Sequence, residues 1–536
     1  MGALMHALGR RTKRAVVVLF TAAFGLVAAG AFAPISDAHV GWAEEDERPA
    51  WAPPPPSEPP PSANDGEPDQ RYTQDQECVQ RAGDLDEGIR LKNIPWGQMH
   101  LRIDDVHEYM NQHAGSVGDG KTVAVIDTGV TPHPFLEDRL EGGGDYVQGD
   151  DGLEDCDGHG TQVAGIIAAD SDSSDIGFTG VAPDARILSI RQSSQNFSPE
   201  SDDERERREL LEEAEEDEGE DAGETDPESA NQLTHPGQDD GSPRVQGGAE
   251  SAGDLTTLAQ SVRLAADTDG VEVINMSVDN CRRAGDAPIT TKERKLQSAV
   301  RYAVDEKDIV VVAAAGNVND ACRQNDQPNP NDPRTIVSPS WFSEDLLAVA
   351  AIDRTGGVAP FSMNGPWISV AAPGTEITSL DPAEGSSQLA NLTIEGGNEV
   401  PLQGTSFAAP YVAGLAVLVR QMHPDLDARE VMHRITSTAQ HPGSREGHDQ
   451  FTGHGVINPM AALTATVPEE EGIEPASDVA LPSDMPAPGG PDPLAVTVAL
   501  AGAAGGVSAL GVTLFVIHAV RRSRRDSTGD LPGDAA

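Results

Sequence analysis

Positive charge is what this 536-residue chain has least of: 37 Lys and Arg stand against 88 Asp and Glu, for a formal charge of −51. Such a surface repels phosphate backbones and anionic headgroups, which argues against nucleic acid or acidic lipid as a partner. Cysteine is scarce too. Only four occur, and none share a C-x-x-C spacing that would support zinc. No other metal motif stands out beyond Asp-rich loops at 145–157, so no metal and no cofactor is expected. Long apolar runs are confined to the two ends of the chain.

The first run, Ala15 to about Ala33, follows Arg10, Arg11, Lys13 and Arg14 and is trailed by small residues. That is the design of an export signal, with Ala33, Ala38 and Ala43 all open as cleavage positions. The second, Leu494–Val520, has 27 residues without Asp, Glu, Lys or Arg. It exceeds the roughly 20 residues that cross a bilayer as a helix. Arg521, Arg522, Arg524 and Arg525 follow at once, which places the C-terminus in the cytoplasm and the bulk of the chain outside. An exported compartment suits disulfides. Three pairings are open; Cys78–Cys156 with Cys281–Cys322 is favoured, because the second pair brackets one candidate helix and strand.

Three stretches read as unstructured. Pro53–Pro61 is a stiff, exposed polyproline-type extension. Glu200–Asp254 holds 21 acidic and 4 basic residues with few large apolar ones, too little to offset its ordering entropy. Val467–Pro493 is an acidic, Pro-rich tether.

The rest alternates. Thr122–Ile126, Arg186–Ile190, Val271–Met276 and Ile309–Ala314 are short, apolar and β-branched, as buried parallel strands should be. Helical patterns lie at Thr161–Ala169, Thr257–Asp267 and Thr290–Glu306. This alternation predicts a three-layer α/β domain with a central parallel sheet, whose chemistry gathers at the C-terminal ends of the strands.

Four polar residues fall at that edge. Asp127 ends the first strand in VIDTGV, and His159 stands between glycines in DGHGTQVAGIIAA, at a helix N-terminus. Asn317 closes AAAGN after the fourth strand. Ser406, in QGTSFAAPYVAG, opens a helix to about Val419, with Pro410 placed in the first turn, where its missing N–H costs little. A cap, a turn or a metal ligand would explain each alone, but not the shared edge. A hydroxyl at the positive end of a helix dipole, with an imidazole, a carboxylate and an amide donor, is the equipment of acyl transfer.

The order Asp, His, Ser is that of subtilisin and differs from the orders in chymotrypsin and the α/β-hydrolases. Through VIDTGV, DGHGTQVAGIIAA, VINMS, AAAGN and GTSFAAPYVAG the chain resembles the subtilisin-like serine proteases, over about Val117–Ala462. The resemblance implies a subtilisin-like fold, with Ser406 as nucleophile, His159 as general base, Asp127 as its orienting carboxylate and Asn317 as oxyanion donor. It further implies that peptide substrate pairs beside Ser277, Val278 and Asp279, where the family commonly reads S-L-G. Asp279 departs from that pattern and puts a broad degradative pocket in doubt.

The whole layout resembles the mycosins, membrane-anchored subtilases of actinobacterial type VII secretion systems. The organisation expected is a signal peptide at 1–38, a Pro-rich extension at 39–95 and a peptidase domain at 96–466 with a disordered acidic insertion at 196–254. A linker at 467–493, a transmembrane helix at 494–520 and a basic cytoplasmic tail at 521–536 complete it. The resemblance implies an endopeptidase that cleaves selected secreted proteins, partners the secretion membrane complex and carries an extension that wraps the domain. Two other functions stay open: a mainly structural component of that complex, and a broad-specificity surface protease.

Overall fold

A computed structural model describes residues 49–79, 93–171, 176–201, 205–206, 208, 251–285, 288–327, 329, 331–395, 398–444, 447–473 and 493–526. The expected signal peptide, most of the acidic insertion, most of the linker and the end of the tail lie outside the described residues.

The short β-branched runs form one seven-stranded parallel sheet. Its strands are β1 (Thr122–Asp127), β2 (Leu140–Asp145), β3 (Arg186–Arg191), β4 (Val271–Met276), β5 (Val310–Ala314), β6 (Leu347–Ile352) and β7 (Val370–Pro373), in the spatial order β7-β6-β5-β4-β1-β3-β2. All five residues of β5 and all six of β6 are buried, because helices cover the sheet on both faces. Chain order reverses around β1, and in open parallel sheets the crevice beyond the C-terminal strand ends at such a point receives ligands.

Helices α1 (His159–Ala168) and α4 (Thr405–Met422) pack on each other and on the sheet; α2 (Leu255–Asp267) and α3 (Thr291–Asp305) do likewise. The starts of α2 and α3 are fixed by capping boxes, Asp254 with Thr257 and Thr290 with Glu293. Nearly all of α4 is buried. Its small residues permit this: a Cβ on Gly414 would stand 2.6 Å from Val181 Cβ.

Three expectations need correction. Pro410 is the sixth residue of α4, not part of its first turn, so it deprives the Ser406 carbonyl of its i+4 donor. Ser277 Oγ supplies the missing bond at 2.8 Å. The proline thus frees a backbone acceptor through which α4 is tied to the segment after β4. The segment 196–254 is ordered at both ends: Phe197–Pro199 pairs antiparallel with Tyr72–Gln74, and Ala252 is buried. The Pro-rich stretch is not simply exposed. A polyproline-type backbone has no internal hydrogen bonds, and side chains of α3 and α2 take its carbonyls. Gln297 Nε2 reaches Pro54 O at 2.9 Å, Ser298 Oγ reaches Glu58 O at 2.8 Å and Arg263 Nη1 reaches Pro61 O at 2.9 Å. Upstream, Trp341 Nε1 donates to Trp51 O at 2.8 Å. Disulfides join Cys78 to Cys156 and Cys281 to Cys322.

Residues 467–536 form a separate unit. Its helix Pro493–Asp526 extends beyond the expected 494–520 at both ends. Within it Val498–Arg522, 25 residues of mean hydropathy 2.0, is long and apolar enough to cross a membrane.

Candidate active site

β1 carries Asp127 to the C-terminal edge of the sheet and leaves it buried. Its Oδ1 accepts from the Thr128 N–H at 2.8 Å and lies 2.7 Å from His159 Nδ1. Oδ2 has no partner among the described residues. His159 is the first residue of α1, two positions earlier than the pattern suggested, and its side chain is 29% exposed. One ring nitrogen is therefore committed to a buried carboxylate while the ring still reaches solvent. The contact needs glycine: a Cβ on Gly160 would stand 2.0 Å from the Gly129 carbonyl, so only bare backbone lets the two segments touch.

Burial alone would lower the His159 pKa. The charge and hydrogen bond of Asp127, with Asp155 and Asp157 adding, outweigh it and raise the pKa above the ordinary 6.5. Asp157, held by Ser194 Oγ and the Gln195 N–H, is pushed up to about 6, chiefly by burial.

Asp155, not singled out from the sequence, ties the two segments together. One oxygen accepts from Thr128 Oγ1 at 2.7 Å and the Gly158 N–H at 2.8 Å; the other accepts from the N–H and Oγ1 of Thr161, both at 2.7 Å. Thr128 Oγ1 in turn accepts from the Gly160 N–H at 3.0 Å. The signal was a carboxylate four residues before the histidine, in DCDGH.

On the other side, Asn317 follows β5. Its Oδ1 accepts from the Thr405 N–H at 3.0 Å and from Thr405 Oγ1 at 3.2 Å. Thr405 Oγ1 accepts from the Gly316 N–H at 3.1 Å. Pinning the amide oxygen leaves Asn317 Nδ2 to donate elsewhere. Thr405, like Asp155, is not marked for this role by the sequence pattern; its place directly before Ser406 in GTSF is the signal.

Ser406 is the second residue of α4 and half-buried. The ring of its neighbour Phe407 lies 5.1 Å, centroid to centroid, from that of His159. Ser277 is tied to the Ser406 carbonyl and receives Asn275 Nδ2 at 2.9 Å. Val278 packs partly into the core, and Asp279 is exposed at the edge. Two groups of possible metal ligands occur among the described residues, around Cys78–Cys156 and Cys281–Cys322, and in each the sulfurs are already in a disulfide. The structure joins Asp127 to His159 and Asn317 to Thr405, and sets the imidazole against Phe407, the residue after Ser406; no hydrogen bond links His159 to Ser406 among the described residues.

Residues 118–455 match the subtilase family. Mycosin-1 of Mycobacterium tuberculosis is 39% identical over 81% of this chain and 87% of its own length. The crystal structure of MycP1 from the ESX-1 type VII secretion system superposes with a TM-score of 0.60 at 36% identity, covering 78% of this chain and 96% of that one. A chain in the periplasmic assembly of the ESX-5 inner membrane complex gives 0.62 at 33% identity, over 81% and 100%.

Proposed function

The chain belongs to the subtilase family, and within it to the mycosins, and from that premise we propose that it hydrolyses peptide bonds through Ser406, His159 and Asp127. Ser406 attacks the carbonyl carbon, and His159 takes the hydroxyl proton and returns it to the leaving amine. Asp127 holds His159 Nδ1 and stabilises the imidazolium. Asn317 Nδ2 and the Ser406 N–H receive the developing oxyanion, with Thr405 aiming the amide. The observation that carries this reading is the 2.7 Å Asp127–His159 contact at the sheet edge beside the start of α4. The full-length protein should cleave peptides, and Ser406→Ala should stop this without changing thermal unfolding. Undiminished cleavage by the variant would remove the nucleophile.

The chain acts as an exported, anchored enzyme: residues 1–38 are removed on export, 494–520 span the membrane and 521–536 stay in the cytoplasm. The apolar helix Val498–Arg522 and the four arginines at its end support this. Likeness to a chain of the ESX-5 inner membrane complex supports a place in a type VII secretion complex, where a few secreted proteins are cleaved and the assembly is reinforced. Comparing export in cells lacking the gene with cells carrying Ser406→Ala separates the two roles. Equal defects would contradict a scaffolding role; intact export in the point variant would contradict an essential proteolytic one.

A further inference from the structure

Residues Ser277–Asp279 leave β4 and run directly past the nucleophile segment, with Ser277 Oγ bonded to the Ser406 carbonyl. Two residues on, the Asp279 carboxylate enters the gap between this segment and the turn after β5. Its Oδ2 lies 2.9 Å from where a Cβ on Gly316 would sit, and the Asn317 backbone N–H donates to it. Gly316, at φ +95°, leaves the space that the carboxylate uses; Val337 Cγ1 lies 2.8 Å from the same point and forms an apolar wall. The walls are tied together. Asn280 pairs with Ser338, and Cys281 is bonded to Cys322, five residues beyond Asn317.

We propose that Asp279 sets substrate specificity: it favours a cationic side chain on the peptide residue just before the cleaved bond and rejects an acidic one. The inference rests on Ser406 and Asn317 acting as described above. The scissile carbonyl must reach Asn317 Nδ2 and the Ser406 N–H, so the side chain of that residue is placed over Gly316, where Asp279 presents its charge. A carboxylate accepts up to about four hydrogen bonds, and the Asn317 N–H accounts for one. Asp279 is exposed as a residue, but its carboxylate oxygen is packed against Gly316, and desolvation there pushes its pKa up to about 6, against the lowering pull of the Asn317 N–H and His159. It is therefore ionised at about pH 8, and at the open edge of the crevice its charge is accessible to a Lys or Arg side chain.

The test uses the full-length protein in detergent micelles at about pH 8, with peptides that differ only in the residue before the cleaved bond: Lys, Arg, Leu or Glu. The expected wild-type kcat/KM for Lys and Arg exceeds that for Glu by about tenfold or more, and Asp279→Asn lowers this ratio by about tenfold. An unchanged ratio overturns the proposal. So does an equal change for all four peptides, which would show Asp279 acting on the oxyanion and not on the side chain. Calorimetric binding of the same peptides to Ser406→Ala, with and without Asp279→Asn, reads the preference without turnover. If wild type cleaves nothing, the nucleophile reading fails; equal affinities for Lys and Glu peptides would then also overturn the role of Asp279.

Discussion

Thr405→Val tests the oxyanion side of the site most cleanly, because it keeps the branched shape and removes one atom with two bonds. Oγ1 is fully buried, accepts from the Gly316 N–H and donates to Asn317 Oδ1. Losing a neutral bond costs about 0.5–1.5 kcal/mol, and stranding the buried Gly316 N–H costs about 1–3 kcal/mol more, so roughly 2–4 kcal/mol of stability should go. That is a large share of the 5–15 kcal/mol, roughly, that a domain has to spare. The catalytic effect should be partial. Asn317 Oδ1 keeps its 3.0 Å bond from the Thr405 N–H, so the amide loosens without being released. Losing an oxyanion donor outright costs about 10²–10³ in kcat, and loosening one should cost about tenfold. The oxyanion exists only in the transition state, so kcat should fall with KM nearly unchanged. Thr405→Ser, which restores the hydroxyl, should recover most of the loss. Guanidinium unfolding with disulfides intact, alongside steady-state hydrolysis of a chromogenic peptide, reads both quantities. Wild-type kcat in Thr405→Val, or a Ser variant no better than Val, would refute the positioning role.

Gly160→Ala should abolish hydrolysis and lower the unfolding temperature, because its Cβ would sit 2.0 Å from the Gly129 carbonyl and drive α1 away from β1; a thermal shift assay with activity checks it. His159 must be neutral to act as base, and its pKa is raised, so the acid limb of kcat/KM should lie above 6.5. Asp127→Asn removes the charge that raises it and should move the residual limb to lower pH in a pH–rate profile. Asp157 has its folded pKa pushed up to about 6 from 3.8, so its ionisation opposes folding. Stability is lost as pH rises through that window and stays lost above it. Asp157→Asn can still accept from the Gln195 N–H and donate to Ser194 Oγ, so it should gain up to about 3 kcal/mol above pH 6 and little below pH 4, measured by denaturant titration at both.

Asp127, His159, Asn317 and Ser406 were legible because each sits where a buried strand or helix pattern ends, and the end of an element is what a periodic pattern marks best. The first, third, fourth and fifth strands were legible for the same reason. The others were not. Leu140–Asp145 reads LEGGGD, a glycine-rich run that looks like a turn and becomes a strand only by pairing with β3. Leu347–Ile352 is half alanine, and Val370–Pro373 is four residues long and ends in proline; neither carries a strong strand signal. The roles of Asp155 and Thr405 depend on partners distant in the chain, which no local pattern encodes. The second-turn proline shows the same limit: Pro410 breaks a helix rule locally and is compensated by Ser277, 133 positions earlier in the numbering.

A fluorophosphonate that acylates only activated serines tests the central claim, that Asp127 and His159 together make Ser406 a nucleophile. Peptide mapping of the labelled full-length protein should find one adduct, on Ser406, forming far more slowly in His159→Ala. An unlabelled Ser406 in protein that still cleaves peptides, or the same labelling rate without the imidazole, would contradict it.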